Sequence, residues 1–108
     1  MSCVFCDIIA GRLPADVVYE TEEVLVFRDI NPCATHHLLV VPKEHVETVM
    51  DVQTPDLWPA LMAAVQQVAE REGFRAFRLE VNSGAEAGQT VPHLHVHLLS
   101  GEYFDHPL

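Results

Sequence analysis

Between His93 and Leu99 the chain reads His-Leu-His-Val-His-Leu-Leu, which places three of its seven histidines two residues apart within an apolar run. A β-strand turns alternate side chains to opposite faces. This spacing therefore predicts His93, His95 and His97 on one face and Leu94, Val96 and Leu98 on the other. Three imidazoles that titrate near neutral pH, side by side on rigid backbone, are the parts of nucleophilic or metal chemistry. A half-buried strand whose polar face happens to carry histidines is the plainer reading. Strict alternation of three speaks against it.

Such a strand needs a sheet to hold it. Val4 to Ala10, closed by Gly11, reads as a short helix with Phe5, Ile8 and Ile9 as its apolar stripe. Val17 to Glu20 and Val24 to Arg28 read as a hairpin turned by Thr21-Glu22-Glu23. Asn31-Pro32 marks a loop from Asp29 to His36, followed by a β-rich run from His37 to Val41 that ends at Pro42. Asp56 is the expected N-cap of a long helix, with Pro59 in its first turn, an apolar face of Leu61, Val65, Val68 and Ala69, and Gly73 as its end. Phe77 to Val81 alternates as a strand, and a small-residue loop from Ser83 to Pro92 leads into the histidine strand. One short and one long helix with five strands in this order predict an α+β fold on one mainly antiparallel sheet, a single domain over 1–108.

Composition bounds what such a domain can do. At 108 residues and 49% hydrophobic, with mean hydropathy +0.14, the chain can bury a well-filled core. Six Lys and Arg against 16 Asp and Glu give a net charge of -10, which repels nucleic acid, and no basic patch offsets it. No apolar run is long enough to span a bilayer and no secretory leader is legible, so the expectation is a cytoplasmic protein without membrane attachment. Three cysteines, two of them close together, argue for a metal pair or free thiols over a disulfide framework.

Five ordered blocks resemble the histidine-triad (HIT) family, most closely its Hint branch of nucleotide-binding phosphoramidases. They are Cys3-Val4-Phe5-Cys6-Asp7-Ile8-Ile9; Asp29-Ile30-Asn31-Pro32; His37-Leu38-Leu39-Val40-Val41-Pro42-Lys43; Val81-Asn82-Ser83-Gly84; and Gly88-Gln89-Thr90-Val91 running into His93-x-His95-x-His97. The resemblance covers residues 3 to about 100. It implies hydrolysis of the bond to the α-phosphorus of a purine nucleoside phosphoramidate or related conjugate, through a nucleotidyl-histidine formed on His95. It also implies that the other ring nitrogen of His95 donates to a backbone carbonyl near the third histidine. His97 and His37 would stabilise developing charge, and the Thr90 hydroxyl would serve the leaving group or a phosphoryl oxygen. Asp29 would accept from ribose, Phe27 and Ile30 would face the base, Gly88, Gln89 and Thr90 would turn toward phosphate, and Asn82 would reach phosphate or sugar.

The same resemblance implies a structural zinc on Cys3, Cys6, His45 and His93, since a subset of relatives, including the galactose-1-phosphate uridylyltransferase branch, holds one this way. Bare core thiols are the alternative, and Cys33 reads as a free thiol. A twofold homodimer with one continuous sheet is also implied, with Leu57, Trp58, Leu61 and Val65 serving core and interface together. Two features depart from the pattern. Pro92 stands before the triad where an aromatic is common, and 101–108 lacks the tryptophan that some Hint relatives place near the partner's active site. Three other readings stay open: a dinucleoside polyphosphate hydrolase of the Fhit branch, a zinc-dependent hydrolase, and a nucleotide-binding protein without turnover.

Overall fold

Apolar and β-branched residues fill the runs expected to be strands, and each becomes one. In the computed structural model, which describes residues 3–104, these are β1 (Val17–Glu20), β2 (Val24–Arg28), β3 (His36–Pro42), β4 (Phe77–Glu80) and β5 (Val96–Ser100). The helices are α1 (Val4–Ile9) and α2 (Leu57–Glu72). Residues 1–2 and 105–108 lie outside the described residues, and with them the ends of the expected 1–108 domain and of the tryptophan-free tail.

The sheet runs β1-β2-β3-β5-β4, and every neighbouring pair is antiparallel. β5 thus enters between β3 and β4, with Val96 opposite Val40 and His97 opposite Leu39. Alternation then sorts the side chains. Leu94, Val96 and Leu98 join Val24, Val26, Leu38 and Val40 under Leu61, Val65 and Val68 of α2. On the other face Leu25, Phe27, Leu39 and Val41 pack against Cys3 and Phe5 of α1. The period-two reading of the histidine run therefore holds for direction of side chains.

It does not hold for the strand's extent. His93, Leu94 and His95 precede β5. The register that pairs Val40 with Val96 would carry Leu94 to Pro42, which has no N–H to offer the ladder. Leu94 N–H instead donates to the Val46 carbonyl at 2.6 Å, and His93 N–H to Val91 at 2.8 Å. Smaller differences follow the same logic of hydrogen bonding. β3 gains His36 and Pro42, β4 stops at Glu80, and α1 stops at Ile9 with Ala10 as its cap. Asp56 occupies the N-cap of α2, yet its side chain makes no capping bond. Gly73 ends α2 as expected, in the left-handed region at φ 74°. Among the described residues no helix is long and apolar enough to cross a membrane.

Leu61 is fully buried between α2 and the sheet. Leu61→Ala should lower unfolding free energy by roughly 2–5 kcal/mol in a denaturant titration. A loss below ~1 kcal/mol would contradict this packing.

Candidate active site

His95 lies at the centre of the constellation, and the backbone decides which of its nitrogens is free. Its Nδ1 is 2.7 Å from the His93 carbonyl. A carbonyl only accepts, so the proton sits on Nδ1 and Nε2 keeps its lone pair. The orienting carbonyl thus belongs to the first histidine of the run, two residues upstream, and not to a position near the third. Phe5 of α1 stands edge-on to the His95 ring, with centroids 5.1 Å apart, and fixes its tilt from the other side.

His37 on β3 and His97 on β5 are drawn together by the strand pairing, with His37 Nε2 2.9 Å from His97 Nδ1. Cys33 N–H donates to His37 Nδ1 at 3.1 Å. An N–H donor at Nδ1 forces the His37 proton onto Nε2, where it faces His97 Nδ1 and, at 3.4 Å, Asp29 Oδ2. The His97 proton is then on its own Nε2. Asp29, His37 and His97 also have the spacing of a metal-binding group. The Cys33 N–H opposes that use, because a neutral ring that coordinates through Nε2 carries its proton on Nδ1. Burial, with His95 and His37 nearby, holds His97 below its ordinary range. The neutral form with one donating N–H follows at neutral pH.

His95 and His97 open onto a cleft of about 360 Å³ with a largely apolar wall formed by Val4, Phe5 and Ile8 of α1, Leu13, and Phe27 and Leu39 of the sheet. Asp29, Ile30 and Thr90 border it. Ile30 is 89% exposed and forms the lip. Arg28, the one cation among the lining residues, is held by Asp16 at 3.3 Å and Glu72 at 3.2 Å. An anionic ligand in this cleft would therefore meet neutral donors.

Not every expected site residue enters this cleft. The Gln89 side chain accepts from Gly84 N–H at 2.8 Å and donates to the carbonyls of Glu47 (2.7 Å) and Val91 (2.9 Å). Asn82 donates to the Ala87 carbonyl at 2.8 Å. Gly88, at φ 94°, turns beneath Asn82, whose Nδ2 lies 3.6 Å from where a Cβ would sit. Together they brace the loop that delivers Thr90. From sequence α1 offers an apolar stripe and the Cys3 and Cys6 thiols; its place in the cleft wall, through Val4, Phe5 and Ile8, is a finding of the structure. The signal was present, since Phe5 and Ile8 share a helical face.

A second cluster lies behind the first. His93 is fully buried, and its Nε2–H donates to the Pro42 carbonyl at 2.8 Å. Its unprotonated Nδ1 faces Cys3 Sγ (3.4 Å), Cys6 Sγ (3.6 Å) and His45 Nδ1 (3.2 Å). Cys6 Sγ lies 3.2 Å from His45 Nδ1. The four donor atoms stand within 4.8 Å of one another. A tetrahedron with zinc–nitrogen and zinc–sulfur bonds of ordinary length has edges of roughly 3.3–3.8 Å, so this donor set fits such an ion. Burial and the neighbouring Cys3 raise the Cys6 thiol, a cost that a bound cation removes. Cys33 lies outside this cluster as an exposed free thiol.

The HIT domain family model matches residues 10–104. The chain is 39% identical to Protein HitA of Neisseria gonorrhoeae over 102 residues, 91% of this chain and 94% of that one. It overlays a histidine triad protein from Clostridium difficile with TM-score 0.94 at 38% identity, covering 100% of this chain and 97% of the other. A HIT family hydrolase from Legionella pneumophila Philadelphia 1 overlays with TM-score 0.89 at 40% identity, covering 94% and 95%.

Burial lowers both His93 and His97 from the ordinary value of 6.5. The unfolded chain then binds these protons more readily, so stability is full above that value and falls as pH drops below it. Melting temperature measured from about pH 8 down to about pH 5 should decline in the acid half, and His97→Gln should flatten part of the slope. A flat profile would contradict these assignments.

Proposed function

Because this chain belongs to the HIT family, we propose that it hydrolyses purine nucleoside 5′-phosphoramidates or related nucleotidyl conjugates through a nucleotidyl intermediate on His95. The observation that carries this reading is the His95 Nδ1 bond to the His93 carbonyl, which leaves Nε2 as a ready nucleophile at the cleft wall. Neutral imidazole suits the task because it needs no prior deprotonation. The apolar wall takes the base, Asp29 accepts from ribose, and the α-phosphoryl group sits against His95, His97 and Thr90.

His95 Nε2 attacks phosphorus and the bond to the leaving nitrogen breaks. That nitrogen departs with a proton passed from solvent through the Thr90 hydroxyl. The His97 N–H donates to a phosphoryl oxygen as charge grows there, backed by His37. Water then attacks the nucleotidyl-histidine and releases a proton to solvent, the bond to Nε2 breaks, and the nucleoside monophosphate leaves with neutral His95 restored. The absence of a free cation among the lining residues favours a leaving group of low charge over a polyphosphate chain. A turnover panel of adenosine and guanosine phosphoramidates against diadenosine polyphosphates tests that preference.

In this reading zinc is structural. It is held by Cys3, Cys6, His45 and His93 with every coordination position taken by protein. The functional unit is a twofold homodimer. Its support is the edge strand β4, whose Phe77 (40%) and Leu79 (39%) are exposed on the face of the sheet that carries α2. Only monomer at micromolar concentration in light scattering would remove the dimer.

His95→Asn should lose turnover by at least ~10⁴-fold while AMP still binds, whereas His97→Asn should lose about 10²–10³-fold. Substantial turnover by His95→Asn would sink the covalent route. Purified protein should carry about one zinc per chain. Cys6→Ser should lower melting temperature by roughly 10 °C or more, with little change in turnover per folded molecule. Absence of metal in protein prepared without chelator would remove the site.

A further inference from the structure

The proton position on His37 depends on a loop, and the far end of the chain holds that loop. Residues 29–35 connect β2 to β3 across the cleft rim. The loop begins fixed, since Asp29 N–H donates to the His37 carbonyl at 2.9 Å and Asn31 N–H donates to Asp29 Oδ1 at 2.8 Å. Its far end carries the Cys33 N–H that points at His37 Nδ1. Two residues later, Thr35 gives both its N–H (2.9 Å) and its hydroxyl (3.1 Å) to one oxygen of Glu102. Glu102 lies two residues past the end of β5, the strand that carries His97.

The crossing is close. At Gly101, φ 100°, a Cβ would stand 2.7 Å from Thr35 Cβ, so only glycine brings the two segments this near. On the other side of the loop's end, the His36 ring packs on Phe74 with centroids 5.0 Å apart. A carboxylate that accepts two bonds on one oxygen is a charge-assisted clamp, the stronger kind of hydrogen bond. Nothing in the proposed chemistry uses Glu102 or Thr35.

We propose that Glu102 is a positioning residue for the His37–His97 pair: by clamping Thr35 it holds the loop so that Cys33 N–H keeps the His37 proton on Nε2, directed at His97. The clamp joins the segment after β5 to the loop before β3, and so ties the two strands that supply the pair. Its effect on turnover rests on the phosphoryl-transfer reading above, while its effect on the His37 ring does not.

The test is imidazole ¹⁵N NMR of the full chain, with kinetics beside it. In the parent protein His37 should show an unprotonated Nδ1 and a protonated Nε2. In Glu102→Ala both signals should move toward the average of two tautomers. kcat on an adenosine phosphoramidate should fall by roughly two- to fivefold, since the clamp is exposed and its loss divides the His37 proton between two nitrogens, while AMP affinity is unchanged. Thr35→Val should fall in the same direction, Thr35→Ser should keep parent activity, and the Glu102→Ala/Thr35→Val pair should be no worse than Glu102→Ala alone. An unchanged His37 spectrum in Glu102→Ala overturns the proposal, and so does a shifted spectrum with parent kcat. A shifted spectrum in a protein whose parent form turns over no phosphoramidate upholds the clamp and overturns only the reading of the activity.

Discussion

His93 serves two sites with two different parts of itself, and most of the arrangement around the cleft depends on that. Its ring donates from Nε2 to Pro42, which leaves Nδ1 free to face Cys3, Cys6 and His45. Its carbonyl, meanwhile, accepts from His95 Nδ1 and frees His95 Nε2. Pro42 is where β3 runs out of donors, so the chain at 93–95 leaves the ladder and spends its polar groups on these contacts instead. The His93 carbonyl faces the β4 side, where β4 has already ended at Glu80, so it is left for the His95 ring, and His95 Nε2 keeps its lone pair. Phe5 stands edge-on to both His93 and His95, at 5.8 and 5.1 Å, so α1 couples the cysteine pair, the ring tilt and the apolar wall.

Electrostatics shape the cleft by what they withhold. Arg28 is spent on Asp16 and Glu72, Lys43 on Glu20 and Arg12 on Asp7. Arg71 lies over Tyr19 and Arg78 over Phe104. In a chain of net charge -10, an anionic ligand is then met by oriented N–H and hydroxyl donors, not by a field. Such donors are directional and worth most where water is excluded, which suits one phosphoryl group in one pose better than an extended polyanion.

Much of this was legible in the sequence, for reasons that differ by residue. The face of Leu94, Val96 and Leu98 follows from period two, which needs only local backbone. The start of β5 at Val96 does not, because it is set by Pro42 in another strand. Strands β1 and β2 were read at their observed bounds, since Thr21 caps their turn locally, accepting from Glu23 and Val24 N–H. Cys3 and His93 are 90 positions apart in sequence, and only the family resemblance could place them together. Gln89 looked like a phosphate-side residue by its neighbours. Its amide instead satisfies two backbone groups of its own loop and the Glu47 carbonyl, a role that depends on where Glu47 arrives. The His37 tautomer was out of reach for a similar reason, because it rests on the direction of a single backbone N–H.

In the proposed reaction His95 Nε2 is the atom that takes the nucleotidyl group. Rapid quenching of the parent protein with a ³²P-labelled adenosine phosphoramidate, followed by peptide mapping under alkaline conditions, tests it most directly. The expected result is an acid-labile nucleotidyl adduct on His95 that forms and decays at the rate of turnover. An adduct on His93 or His97, or none when chemistry outruns hydrolysis, would contradict it.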